Sequence, residues 1–288
     1  MPIIDNVFFV LAFGLAFALV GLGVFLSNKI YKLVDLTCES SFALGGCVYG
    51  SMVLAGMNPL MALFTSMFLG YIAGVITASF INYIKLDAIV ASLLTVGGLQ
   101  SLLTKLVEVR KFNPSSVLGN LSPISNFILV LIIVSIVTFL FYKLMISEYG
   151  LSMRIYGDGE IITESMGVNG IRILSLGLGI ENLLCSLAGA LIAQMTGDFA
   201  VNMGNGCVIF GISAIILGGK VFKNIGIKSA VIGTFIGAVC YQAVLKVITF
   251  KDLIGLGEEF NSILMAITLV MLVALKRSYH IDQDRRNI

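Results

Sequence analysis

Apolar runs of about 20 residues recur along this chain with almost no charge inside them, and that is the length of helix that crosses the hydrocarbon core of a bilayer. Lipid offers no hydrogen bonds to a bare backbone, so segments of this kind must close their own ladders as helices. Cut at polar residues and at Gly, Pro and Asn interruptions, the runs number about nine. They are Val7–Leu26, Asp35–Leu54, Leu60–Ile81, Asp87–Val107, Ser125–Ile146, Ile171–Met195, Gly206–Gly218, Ser229–Ile248 and Asn261–Leu275. The seventh is short and reads as a broken or partial span, so the count runs from eight to ten. The expected fold is all-α, a polytopic integral membrane protein with one membrane domain over residues 1–288.

Composition closes off the soluble alternative. Of 288 residues 12% are charged and 58% are hydrophobic, with a mean hydropathy of +1.02. A soluble domain carries about 25% charged residues, and here too little charge is present to cover a water-facing surface. No basic stretch precedes the first apolar run, whose first following cation is Lys29, so the run reads as a retained span and not as a cleaved leader. The five cysteines, Cys38, Cys47, Cys185, Cys207 and Cys240, are scattered singly without metal-site or redox spacing and read as small core residues. A net charge of +2 with no basic run gives no nucleic-acid arm. The chain has no Gly-x-x-x-x-Gly-Lys-Ser/Thr loop to hold nucleotide phosphates, and its one histidine, His280, belongs to no hydrolase motif. No catalytic residue, metal ligand or cofactor site is expected, and energy for any vectorial work must come from another polypeptide.

Charge also sets an orientation. With the amino terminus outside and the spans alternating, the inner loops carry Lys29, Lys32, Lys85, Lys143, Arg154, Arg172, Lys220, Lys223, Lys228, Lys276, Arg277, Arg285 and Arg286. The outer side keeps Lys105, Arg110, Lys111, Lys246 and Lys251 of the 18 basic residues, which is the bias of the positive-inside rule. The segment 114–122 then lies outside, and Asn224 with the tail 282–288 inside.

One inner loop, about residues 147–172, is long and polar. Within it Gly157 and Gly159 flank Asp158, a helix-like stretch Glu160–Met166 follows, and Gly167-Val168-Asn169-Gly170 forms a second break. Gly157 and Gly167 are expected to supply the chain reversals. Ile161, Ile162, Ser165 and Met166 can share one face of the short helix, with Glu160 and Glu164 an (i, i+4) pair on the other. Such a knob suits docking to a partner, and the same pattern serves an interfacial connector; the residues leave both open.

Polar groups at span depth form the second candidate set. A carboxylate in lipid is expensive and must face protein or water. Glu181 has three readings: a solute path, a hydrogen bond to Gln194 or Ser186 on its own helix, or an interface. The amides Gln100, Asn182 and Gln194 serve helix–helix bonding or a path, Asn202 sits beyond the same helix, and Glu39 either caps the second span or joins the path. Steps such as Gly70–Gly74 and Gly233–Gly237, with Gly177, Gly179 and Gly189, permit close helix packing or a path lined by small residues.

These segments carry a resemblance. Arg154-Ile155-Tyr156-Gly157-Asp158, followed by Glu164-Ser165-Met166-Gly167-Val168-Asn169, resembles the coupling-loop signature of ABC importer permeases of the branched-chain amino acid and ribose class. Asn182-Leu183-Leu184, Leu187-Ala188-Gly189-Ala190-Leu191, Val201-Asn202-Met203-Gly204 and Ile216-Leu217-Gly218 follow the family's order, as do Gly21 to Ser27, Asp35-Leu36-Thr37 and Ser41 to Gly45 upstream. The match spans about Gly21 to Gly219 and is most similar to a branch linked to uptake of tryptophan and related aromatic amino acids. The chain departs from that branch at Cys38-Glu39-Ser40, at Glu181, at Gly219 and across Ser92–Lys105, all on membrane segments, which bears on the solute more than on architecture.

The resemblance implies the permease subunit of an ATP-driven importer in the bacterial inner membrane. It implies a second permease subunit, as a homodimer, a cytoplasmic ATPase docked on Arg154, Gly157, Asp158, Glu160, Glu164, Gly167 and Asn169, and an extracytoplasmic solute-binding protein. ATP then stays on the partner subunit and this chain needs no cofactor. The residues by themselves also suit an ion-coupled carrier with Glu181 or Glu39 as its proton-binding carboxylate, or a membrane scaffold that transports nothing.

Overall fold

A computed structural model describes residues 2–107, 110–111, 123–221 and 226–250, together with Ile267. The elements are α1 (Pro2–Phe25), continued by a π-helical segment Leu26–Tyr31, then α2 (Thr37–Leu54), α3 (Pro59–Ile84), α4 (Ala88–Leu106), β1 (Arg110–Lys111), α5 (Pro123–Ile146), α6 (Glu148–Asp158), α7 (Glu160–Ser165), α8 (Gly170–Thr196), β2 (Asp198–Phe199), α9 (Cys207–Val221) and α10 (Ile227–Phe250). Six of these helices are long and apolar enough to cross a membrane: α1, α3, α4, α5, α8 and α10. The all-α membrane fold read from the sequence is the fold found. The ninth expected span, Asn261–Leu275, lies outside the described residues, as do the segment 114–122, Asn224 and the tail 282–288.

Helix ends fall where local chemistry stops the ladder. Asn58 caps α3 by accepting from Leu60 N at 2.9 Å with Pro59 in the first turn, and Asp87 caps α4 by accepting from Ile89 N at 2.9 Å. The segments ending at Tyr31 and Ile84 both close on a lysine in left-handed backbone, Lys32 and Lys85. Gly197 does the same at the end of α8.

Helix α8 is the axis of the molecule, buried along most of its length, with α1 next in enclosure. Around it α2 and α3 approach at backbone distance. A Cβ on Gly45 would lie 1.9 Å from the Ser186 carbonyl oxygen, and one on Gly74 would lie 2.0 Å from that of Leu178. Between α9 and α10 the same device recurs, with Gly218 against Gly233 and Gly237 against Ala214. The small-residue steps seen in the sequence are therefore helix crossings. Phe17 of α1 stacks with Phe42 of α2 and Phe210 of α9, and Phe210 in turn meets Tyr241 of α10, so one aromatic line ties four helices. By contrast α5 is mostly open along its length, its Ile132, Ile136, Phe139 and Leu140 facing outward as lipid-contacting side chains should.

The two ends of the bundle are distinct. At one end Lys32 pairs with Asp158 and Asn82 donates to the Ile171 carbonyl, which gathers the ends of the π helix, α3 and α6 with the start of α8. At the other, β1 and β2 pair antiparallel, Arg110 opposite Phe199 and Lys111 opposite Asp198. The segments after α4 and after α8 thus meet at the end opposite the polar loop. Cysteines placed at Ser165 and at Asn205, both exposed and at opposite ends, should label from opposite sides of the membrane. A Cys240→Ser background suits this, because the other four thiols are buried. Equal labelling of both sites in intact cells by an impermeant maleimide would refute the alternation.

Candidate functional site

The second helix begins inside the bundle and not at its end. After Tyr31 the chain turns at Lys32 and runs without helix through Lys32–Leu36, and α2 starts at Thr37, not at Asp35 as the sequence pattern suggested. Asp35, at the head of α2, accepts from Thr37 N at 2.8 Å and from the Asn182 side-chain amide at 2.9 Å. Asn182 is the midpoint of α8, so the break sits deep in the bundle. Its amide also donates to Leu178 O, and its oxygen accepts from Ser41 of α2 at 2.7 Å, which leaves every polar atom of that side chain engaged. From Thr37 a chain of hydroxyls runs through Thr77 of α3 to Thr95 of α4, at 2.8 and 2.9 Å. One polar seam thus links α2, α3, α4 and α8 inside an apolar bundle. In a low-dielectric interior such a satisfied network holds a unique packing, whereas a single unmade bond in it is costly.

Beside the seam lies Glu181, fully buried. Its Oε1 accepts from Ser27 of the π helix at 2.7 Å, and its Oε2 has no hydrogen-bond partner. The bonds to Gln194 or Ser186 that the sequence left open are not made: Gln194 accepts from Tyr49 of α2, and Ser186 donates to Ser66 O of α3. Three free thiols gather nearby, with Cys38 and Cys185 within hydrogen-bonding reach of each other and Cys207 close to Cys185, although the sequence scatters them. Among the described residues no group of His, Cys, Asp or Glu is arranged to hold a metal ion.

The other sequence candidates fall elsewhere. Glu39 does not cap its own helix; it accepts from Gly206 N at 3.0 Å and so holds the start of α9. Gln100 lies half-buried on α4, and Asn202 is exposed in the turn before α9. The structure brings Glu181 and Asn182 together, but neither Gln100 nor Asn202 joins them.

The polar loop holds two helices, not one. Arg154 to Asp158 belong to α6, and the turn between α6 and α7 is made by Gly159, with φ +149°, and not by Gly157. Gly157 has a different need: a Cβ there would lie 1.8 Å from the Ile30 carbonyl oxygen. Gly167, with φ +72°, closes α7 as expected. Each of the other loop candidates has an internal task. Arg154 donates to the Met145 carbonyl at 2.7 Å and so caps α5, Asp158 pairs with Lys32 at 2.7 Å, and Asn169 caps α8 by accepting from Arg172 N at 3.1 Å. Tyr156 stacks edge-on against Tyr31, whose hydroxyl donates to Ile173 O at 2.6 Å while its ring lies over Gly177. Between these anchors Ile162 of α7 and Met166 in the turn after it face outward, 47% and 61% exposed. Glu160 and Glu164 lie on this helix, but their side chains are not described.

Sequence reasoning missed Ser27, Tyr31, Lys32, Thr77 and Thr95. It also quoted Asp35 without seeing that it is buried, because a carboxylate at the edge of an apolar run looks like a loop residue. The one available signal was Asp35-Leu36-Thr37 itself, an acid two residues before a hydroxyl at a helix start, which is a capping pattern.

Comparison with known proteins agrees with this geometry. Residues 6–275 match the family described as branched-chain amino acid transport system / permease component. The chain is 26% identical over 264 residues to the tyrosine transport system permease protein of Clostridioides difficile, covering 90% of this chain and 88% of that one. It is also 26% identical to an uncharacterized protein, RP368, of Rickettsia prowazekii, over 88% of this chain and 91% of that one. With the autoinducer 2 import system permease protein LsrC of Photorhabdus luminescens it shares 27% identity, over 71% of this chain and 62% of that one. The polytopic helical fold, the polar loop and a match over nearly the whole length give one result: the chain belongs to the branched-chain amino acid transport system permease family, the permeases of ABC importers.

Proposed function

We propose that this chain is the membrane subunit of an ATP-driven importer of a small polar solute, an amino acid of the aromatic kind, working as a pair of permease subunits in the bacterial inner membrane. A cytoplasmic ATPase would dock on α7, and an extracytoplasmic binding protein would deliver solute to the opposite end. The observation that carries this reading is α7 itself. A helix of six residues with exposed Ile162 on it and exposed Met166 in the turn that follows, held between Gly159 and Gly167 and braced through α6, is built to be gripped. Its bracing reaches α1, α5 and α8 through Lys32, Met145 and Ile173, so a force applied at α7 is delivered to the bundle and not absorbed in a slack loop. The ATPase supplies the hydrolysis, and this chain does no chemistry of its own. The amino acid cargo draws its support from the tyrosine transport relative; the autoinducer 2 relatives leave the class of solute wider.

The test is uptake in proteoliposomes containing this chain, its ATPase and its binding protein. ATP-dependent accumulation of labelled tyrosine that persists with a proton ionophore is the expected result. Accumulation without ATP that collapses with the proton gradient would replace the reading with an ion-coupled carrier. ATP-driven uptake that tyrosine, tryptophan and phenylalanine fail to compete would keep the importer and remove the aromatic cargo.

A further inference from the structure

We infer that Glu181 is a positioning residue for coupling: with Ser27 it latches the π-helical end of α1, and through it the polar inner loop acts on the mid-bundle break ahead of α2. The inference rests on the ATP-driven reading above.

A carboxylate inside an apolar span needs a reason, and Glu181 stands where the neighbouring chemistry makes it structural to the break. It and Asn182 are adjacent on α8, yet they hold opposite sides of the same interruption. Glu181 accepts from Ser27, ahead of the break, and Asn182 engages Asp35 and Ser41, within it and behind it. The loop grips the same π segment from the other side. Tyr156 stacks on Tyr31, Gly157 touches the Ile30 backbone, and Asp158 pairs with Lys32. The six residues Leu26–Tyr31 therefore lie between the loop and Glu181.

That segment is the element able to take two arrangements. A π helix holds one residue more per turn than an α helix, so its conversion re-registers whatever follows it. Here Lys32 N and Leu33 N both reach back to Ser27 O, which makes Ser27 the residue on which the wide turn closes. Room for the change is present. A cavity of about 290 Å³ lies against Lys29 and Ile30, bounded by Ile215 of α9 and by Ile227, Ala230 and Thr234 of α10. Glu181 Oε2, buried and without a hydrogen-bond partner, offers the Ser27 hydroxyl a second acceptor when the turn shifts.

The experiment uses the full complex with ATPase and binding protein in proteoliposomes, and reads solute taken up per ATP hydrolysed. Ser27→Ala and Glu181→Ala should keep ATPase association and hydrolysis while uptake per ATP falls about ten-fold, the scale of a single lost coupling contact. Glu181→Gln, which keeps an oxygen to accept from Ser27, and Ser27→Thr, which keeps the hydroxyl, should hold the ratio within about two-fold of the unsubstituted complex. An unchanged ratio in Ser27→Ala, or a Glu181→Gln protein as impaired as Glu181→Ala, would overturn the latch. Loss of ATP-driven uptake in the unsubstituted complex would instead sink the importer reading, and the latch with it.

Discussion

Gly45→Val should yield almost no folded protein from detergent, and Gly74→Val little more, whereas Gly97→Val should purify like the unsubstituted chain. The difference lies in what each new side chain meets. At Gly45 the first added carbon would lie 1.9 Å from the Ser186 carbonyl oxygen and at Gly74 2.0 Å from that of Leu178, while at Gly97 nothing stands within 4 Å. Both obstructing atoms are backbone, so no rotamer change relieves them, and α2 or α3 must lift away from α8. Overpacking of a close-packed core costs about 1–3 kcal/mol when side chains can yield, and separating whole helices exceeds that. Without hydrophobic drive between helices in lipid, close approach is the main attraction, and the substitution removes it. Size-exclusion profiles and thermal unfolding in one detergent decide the matter. A monodisperse Gly45→Val protein with an unchanged melting temperature would show that α8 is not the packing axis.

Replacing Ile162 and Met166 together with Asp should abolish ATP-driven uptake while leaving the membrane bundle intact. Both side chains are exposed and neither contributes to the core, so the change in stability should stay within about 0.5 kcal/mol. Buried at an interface, apolar anchors of this kind carry about 2 kcal/mol or more each, which places the loss of ATPase affinity at about thirty-fold or greater for either one alone. Gly167→Val probes the same element through the backbone, since a β-branched residue at φ +72° costs about 1–3 kcal/mol of local strain. Pull-down of the ATPase, its hydrolysis rate and uptake should fall together in both variants. Normal uptake with the ATPase still tightly bound would reduce α7 to a connector.

The spans were legible because lipid imposes one demand on every one of them, and a run of about 20 apolar residues meets it wherever it occurs. The glycine steps were legible for a related reason, since close approach in lipid needs small residues and few other devices serve. What the sequence concealed lies in tertiary pairing. Gly157 and Gly159 both look like turn residues, and only the position of Ile30 explains why one of them is helical. Glu39 sits in the first turn of α2, where an acid usually serves its own helix, but its partner is Gly206, 167 residues away. Ser27 drew no notice because a serine inside an apolar run is ordinary until a buried carboxylate is found opposite it. The π segment has no composition of its own to betray it.

The clasp of α2 and α3 around α8 has a consequence for how the chain is made. Helix α2 is not apolar enough to stand among the self-sufficient spans, and its polar atoms find their partners on α8: Ser41 reaches Asn182 across 141 positions and Tyr49 reaches Gln194 across 145. At about 5–20 residues per second of synthesis, α2 emerges on the order of ten seconds before the helix that completes it. During that interval its hydroxyls, Asp35 and the open end of its backbone have only lipid, water or the insertion machinery for company. Biogenesis of this fold therefore has a wait built into its chain order, ended when α8 arrives.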